Sequence, residues 1–214
     1  MIKFLLIRHG FSLANEQSVF AGHTDMPLTK IGIMQGEKTC EYLYNNYKID
    51  YLFSSDLSRA YDTILPLAKK INKSVIRLTD FNEIYGGDWE KVSYEQIALT
   101  YAKDYFVWKN DVGNSKCTNG ESFLQLSERG YSALINLAKK LPDSCTVAIA
   151  THAGLLRALK CKLLNLLPNE MQSIGWVSNG SVTTVEYQNG MLNMTCYGYD
   201  DHLLDIKSKL PEFK

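Results

Sequence analysis

Hydrophobic and polar positions alternate between two kinds of segment along this chain. Phe4-Leu5-Leu6-Ile7 and Thr146-Val147-Ala148-Ile149-Ala150 are continuous apolar runs, and Tyr51-Leu52-Phe53 is a shorter one. Unbroken runs of this length predict strands covered on both faces. Between them the spacing changes. From Thr29 onward, Gly32, Gly36, Cys40, Leu43 and Tyr47 recur at three- and four-residue steps, which predicts a helix with small residues where it presses on a sheet. Phe123, Leu126, Leu134, Leu137, Ala138 and Leu141 trace a second helical face, stopped by Pro142. Leu155, Leu156, Leu159 and Leu163 trace a third. Strand alternating with helix argues for an α/β sandwich on a largely parallel sheet. The tail departs from this: Ser181 to Tyr187 and Met191 to Tyr197 flank Asn189-Gly190, the pattern of a hairpin and an antiparallel edge.

The stretch from about 81 to 141 reads as helical and rich in aromatics, among them Tyr85, Trp89, Tyr94, Tyr101, Tyr105, Phe106 and Trp108. It is expected to leave the sheet and roof a site, with most of its rings packing its own helices together. No repeat or linker divides the chain, so residues 1–214 are read as one domain with this insertion. Twenty-three basic and 23 acidic side chains cancel. No basic surplus points to nucleic acid, and a bound anion would need a local pocket. Five widely spaced cysteines form no C-x-x-C pair, as expected of reduced thiols in a cytoplasmic protein. The apolar run ending at Arg8 is too short for a signal-peptide core or a membrane span.

Three polar clusters stand where apolar runs end. Arg8-His9-Gly10 follows the first run, with Ser12 and Asn15 just beyond. Ser55-Asp56-Leu57-Ser58-Arg59-Ala60 follows the second, and Thr151-His152-Ala153-Gly154 follows the third. In open parallel sheets ligands bind beyond the carboxyl ends of the strands, so two arginines and two histidines are expected to converge on one crevice. Such a set suits phosphoryl transfer, whose transition state spreads charge over phosphate oxygens and needs positioning and positive charge. Arginine offers a planar fork to those oxygens. A neutral imidazole is an available nucleophile if one ring nitrogen is held so that the other presents its lone pair. Helix N-termini after Arg59 and His152 are expected to add backbone N–H groups for the anion. The leaving oxygen needs a proton, and Glu83 is the candidate, with Asp80, Asp88 and Glu90 as close competitors on spacing alone.

Arg8-His9-Gly10, Ser55-x-x-x-Arg59-Ala60, Glu83-x-x-Gly86 and Thr151-His152-x-Gly154 together resemble the histidine phosphatase superfamily, also called the phosphoglycerate mutase-like family. The likeness spans nearly the whole chain in order and includes Pro27-Leu28-Thr29 and Gly120-Glu121-Ser122. It implies a three-layer α/β/α sandwich with a mixed, mostly parallel sheet, and chemistry that needs no metal or other cofactor. It implies that His9 is the phosphorylated nucleophile and that Arg8, Asn15, Arg59 and His152 hold the phosphate. It also selects Glu83 as the acid and later the base.

The mutase branch of that family carries a basic residue, His, Tyr and Gly after the acid. Here Ile84-Tyr85-Gly86-Gly87-Asp88-Trp89-Glu90 follows and is similar to the phosphatase branch, including the α-ribazole and broad-specificity phosphatase groups. The expectation is therefore a phosphatase acting on a small phosphate ester, with no nucleic-acid or membrane partner. A mutase-type phosphotransferase is the alternative, and a non-catalytic domain that binds a phosphorylated ligand is a further one. A metallohydrolase is disfavoured, since no H-E-x-x-H spacing occurs and the arginines would repel a cation. Phe11 departs from the acidic or amide residue that relatives often carry there, and is expected to make the pocket mouth more apolar. His23 and His202 are expected outside the site. Oligomeric state and substrate identity are not legible at this level.

Overall fold

In the computed structural model, which describes residues 1–208, the first apolar run becomes β1 (Ile2–Arg8). A short helix α1 (Leu13–Gln17) and the longer α2 (Lys30–Asn46) follow, each begun by a side-chain cap, Ser12 and Thr29 respectively. Next come β2 (Tyr51–Ser54), α3 (Ser58–Ile71) and a short β3 (Val75–Arg77). The segment after β3 is mostly 3₁₀ turns and two small helices, α4 (Tyr94–Thr100) and α5 (Ala102–Asn110). It leads into α6 (Phe123–Lys140), β4 (Cys145–Thr151) and α7 (Ala153–Leu163). The chain closes with the hairpin β5 (Val182–Gln188) and β6 (Met191–Tyr199). Asn189 and Gly190, both at positive φ, make its turn.

The sheet has six strands in the order β3-β2-β4-β1-β5-β6. β3, β2, β4 and β1 run parallel, and β5 and β6 add the antiparallel edge. The unbroken apolar runs have a direct cause. Leu5 and Ile7 pack with Leu43, Ile64 and Leu67 from α2 and α3, whereas Phe4 and Leu6 pack with Leu134, Leu155 and Leu159 from α6 and α7. Alternate residues of one strand thus enter two different cores, which gives three layers. No helix among the described residues is long and apolar enough to cross a membrane.

Of the stretch expected to roof the site, residues 123–140 instead form α6, which packs on α7 in the sandwich layer. What rises over the strand ends is the part before it. Its rings interlock edge to face. Phe20 meets Trp89, Trp108 and Tyr94 at centroid distances of 5.6, 5.4 and 5.9 Å.

The loop between β1 and α1 is pressed onto the start of α2. A Cβ at Gly10 would lie 2.2 Å from the carbonyl oxygen of Gly32, and one at Gly32 would lie 2.1 Å from that of Phe11. Backbone meets backbone here, so neither side can yield by a rotamer change. Gly32→Ala should therefore destabilise the protein by about 1–3 kcal/mol, the range for overpacking a well-filled interior. Urea denaturation measures this, and an unchanged midpoint would show that the two segments can separate without cost.

Candidate active site

β2, β4 and β1 are adjacent in the sheet, so the three polar clusters meet. Arg8 pairs with Thr151 across β1 and β4, and Ser54 with Ala150 across β2 and β4. The next residues continue the pattern, as the His9 N–H donates to Thr151 O and the Ser55 N–H to Ala150 O, each at 2.9 Å. Arg8, His9, Asn15, Arg59 and Glu83 line one pocket, together with Gly22, Tyr94, Trp108, Gly154 and Trp176. His152 stands against its wall, with its ring centroid 5.1 Å from that of His9.

Both guanidinium groups are buried, Arg8 to 7% exposure and Arg59 to 1%. Among the described residues neither forms an ion pair. Backbone oxygens hold them instead. Arg8 donates from Nη1 to Val177 O, and its Nε is buried without a partner. Arg59 donates to the carbonyls of Ala21, Gly22 and Thr24 at 2.8–2.9 Å. Burial lowers the pKa of both, Arg8 to about 10, although Glu83 nearby acts in the opposite sense. Two cations removed from water with no salt-bridge partner are costly.

The imidazoles are buried and neutral. Burial drives both pKa values well below 6.5, reinforced by Arg59 and Arg8 for His9 and by Arg59 and His9 for His152. His9 Nδ1 lies 2.7 Å from Gly10 O. A carbonyl only accepts, so Nδ1 carries the proton and Nε2 keeps a free lone pair. His152 is fixed by a longer chain. The Asp56 N–H donates to Asn82 Oδ1 at 3.1 Å, so Ser55 Oγ must also donate to that oxygen, at 2.7 Å. With its own proton spent, Ser55 Oγ accepts from His152 Nε2 at 2.9 Å. That leaves Nδ1 of His152 unprotonated, buried and unpartnered.

Glu83 is seated from both sides. Its Oε2 accepts the Gly154 N–H at 2.9 Å. A Cβ at that position would lie 2.3 Å from Glu83 Oε1, so a larger residue would force the carboxylate to shift. Arg129, bonded to Glu121 at 2.9 Å, donates to the carbonyls of Asp80, Asn82 and Glu83. Of the competing acids, Asp80 is exposed and the other two are bonded elsewhere. Asp88 accepts from Asn119, and Glu90 accepts from the backbone of His23, Thr24 and Gly86. The helix N-termini expected to serve the anion are partly taken by protein carboxylates. The first turn of α7 gives the Gly154 N–H to Glu83, and the Ser58 N–H at the start of α3 goes to Asp25 at 2.8 Å.

Asn15 acts as a cap as well as a wall. Its Oδ1 accepts from the Ser12 N–H and from Asn179 Nδ2, which leaves its own Nδ2 to donate. His202 is remote, stacked on Tyr42 at 4.8 Å. His23 stays outside the pocket lining, with its Nε2 3.0 Å from Glu83 O. Sequence reasoning gave no role to Asn82, Arg129 or Asn179, and nothing in their local spacing marks them. Among the described residues no three His, Cys, Asp or Glu side chains gather in a way that would hold a metal ion.

The arrangement can bind a small dianion, offer it one imidazole lone pair and supply one carboxyl group. Residues 4–200 match the histidine phosphatase superfamily (branch 1). The chain is 32% identical over 165 residues to an adenosylcobalamin/alpha-ribazole phosphatase of Salmonella typhimurium, covering 77% of this chain and 81% of that one. It is 27% identical to phosphoserine phosphatase 1 of Hydrogenobacter thermophilus, over 92% of this chain and 94% of that one. The solved structure of Bacillus stearothermophilus YhfR, 21% identical, superposes with a TM-score of 0.89 over 95% of this chain and all of that one, which shows the shared fold.

The neutral imidazoles carry a pH signature. In the unfolded chain they titrate near 6.5, and in the folded one well below it. As pH falls through 6.5 the unfolded state takes up protons that the folded state refuses, so stability present above that pH is lost below it. Denaturation midpoints should accordingly fall between about pH 7 and about pH 5.5, and the ring resonances of His9 and His152 should stay constant over that range. Rings that titrate in the folded protein would overturn this.

Proposed function

The chain belongs to the histidine phosphatase superfamily, branch 1, and from that premise we propose that this phosphoric monoester hydrolase works without a metal, through a phosphohistidine at His9, on a small phosphorylated metabolite. The observation that carries the reading is the pair of buried guanidinium groups, Arg8 and Arg59, unpaired beside a neutral imidazole whose lone pair is free. Relatives named as phosphatases of alpha-ribazole and of phosphoserine support monoester hydrolysis as the reaction.

The dianion enters between Arg8 and Arg59, with Asn15 Nδ2 as a further donor. His9 Nε2 attacks phosphorus, and the bond from phosphorus to the ester oxygen breaks. The carboxylic acid of Glu83 gives its proton to that oxygen, and the alcohol departs. Gly10 O holds the Nδ1 proton of His9 throughout and spreads the charge that develops on the ring. Water then attacks the phosphohistidine while the Glu83 carboxylate takes its proton. The P–N bond breaks, inorganic phosphate leaves, and His9 and the acid are restored. The two arginines supply the electrostatic stabilisation in both steps. His152, fixed by Ser55 and Asn82, packs its ring beside that of His9.

The test is release of inorganic phosphate from an aryl phosphate in excess chelator. The native chain should turn over, and His9→Ala should lower kcat by about a thousandfold or more. Acid quenching during turnover should leave no stable phosphoprotein, whereas alkaline quenching should trap one that is absent from His9→Ala. Glu83→Gln should slow alkyl esters by about 10²–10⁴-fold and aryl esters less, since a phenolate leaves with less need of a proton. Turnover that requires a metal, or that survives loss of His9, would defeat the mechanism. Phosphoryl return to the product alcohol in place of release to water would instead favour a transferase.

A further inference from the structure

The inner pocket has a free volume of about 110 Å³, room for a phosphoryl group and the first atoms of its ester but not for a whole metabolite. Beside it lies a cavity of about 750 Å³, within the range of pockets that take complete small ligands. The two share Arg8, Ala14, Asn15, Val19 and Tyr94, so they meet along one common wall. A third cavity, of about 200 Å³, meets the inner pocket only through Trp108 and Trp176.

The chemistry of that space is unlike the chemistry of the inner pocket. Phe11, Val19 and Ile31 contribute apolar surface, and Tyr94 and Tyr105 contribute rings. The charged groups are already used. Lys207 is paired with Asp200 at 2.7 Å and with Asp201 at 3.2 Å, and Arg8 belongs to the phosphate. Asp205 adds a carboxylate to the wall. Asn179 is bound to His9 O, Asn15 and Ser208. A leaving group that carried its own carboxylate or second phosphate would find no unpaired cation among the described lining residues, and would meet Asp205.

Resting on the phosphatase reading, we infer that this cavity is the leaving-group subsite and selects monoesters whose alcohol bears a neutral, ring-containing body over those whose alcohol is anionic. Phe11 is one of its specificity-determining residues, and this accounts for an apolar side chain directly after the Arg8-His9-Gly10 turn.

The subsite can be tested apart from turnover. Calorimetry on the full native chain would compare 2-naphthylmethylphosphonate, methylphosphonate and 2-carboxyethylphosphonate, which share a phosphoryl-like head and differ only in the body. The naphthyl compound should bind about tenfold or more tightly than either of the others, the scale expected from burying an apolar ring system. That preference should shrink towards unity in Phe11→Ala and in Tyr105→Ala. Ile31 is half exposed, so Ile31→Lys is compatible with folding, and it should raise affinity for the carboxyethyl compound several-fold by supplying the absent cation. Equal binding of the three ligands, or tightest binding of the carboxyethyl one by the native chain, would overturn the inference. Hydrolysis of 2-naphthylmethyl phosphate and O-phosphoserine, whose leaving alcohols are both alkyl, separates the two claims. Preference without turnover of either ester would sink the phosphatase reading and keep the subsite. Equal turnover of both would do the reverse.

Discussion

Two guanidinium groups withdrawn from water without a carboxylate to pair with them set the terms for everything around them. Placing a salt bridge on Arg8 or Arg59 would lower the cost of burying them, and it would also block the anion. The protein resolves this with carbonyl oxygens, which stabilise a cation without cancelling its charge. Val177 serves Arg8, and Ala21, Gly22 and Thr24 serve Arg59. Glu83 is close enough to be felt electrostatically by both, yet it is bonded to the start of α7 and not to either arginine.

That solution demands stiffness in segments with no regular structure. The loop around residues 21–24 is held on its carbonyls by Arg59 and on its N–H groups by Glu90. The Glu83 segment is held by Arg129, itself anchored on Glu121, whose carboxylate also takes the Tyr85 N–H. The Arg8-His9-Gly10 turn is held by Thr63, which accepts the Gly10 N–H, and by the backbone contact with Gly32. Each support is a side chain or backbone group from a different element. Preorganisation of this kind lets fixed dipoles act on a reacting group without reorienting first.

The division between a small charged pocket and a larger apolar one separates two tasks. On the proposed reading the inner pocket takes the phosphoryl group and the first atoms of its ester, which all monoesters of an alcohol share in kind. On the inference drawn above, discrimination would fall to walls contributed by Phe11, Ile31, Tyr94, Tyr105 and the segment after β6. Such walls can change without disturbing Arg8, His9, Arg59 or Glu83, which fits relatives of similar fold that are named for different phosphate esters.

The sequence by itself determined the layers and the meeting of the polar clusters at adjacent strand ends. Unbroken apolar runs mean strands buried on both faces, and polar residues that follow such runs fall at adjacent strand ends once the sheet is parallel. Arg8, His9, Arg59 and His152 could be found that way, and the Asn-Gly turn of the hairpin likewise, because each signal is local. Glu83 needed the family resemblance, since four acids stood within a few residues of one another. The tertiary structure alone decided which nitrogen of each histidine is free, through Gly10 O for one and Ser55, Asn82 and the Asp56 backbone for the other. It alone gave the ends of α3 and α7 to Asp25 and Glu83, placed α6 in the sandwich layer and not over the site, and opened the larger cavity. The physical reason is distance along the chain. Ser55 and Asn82, Glu83 and Arg129, and Glu83 and Gly154 meet only after the layers have packed, and local periodicity carries no record of such pairs.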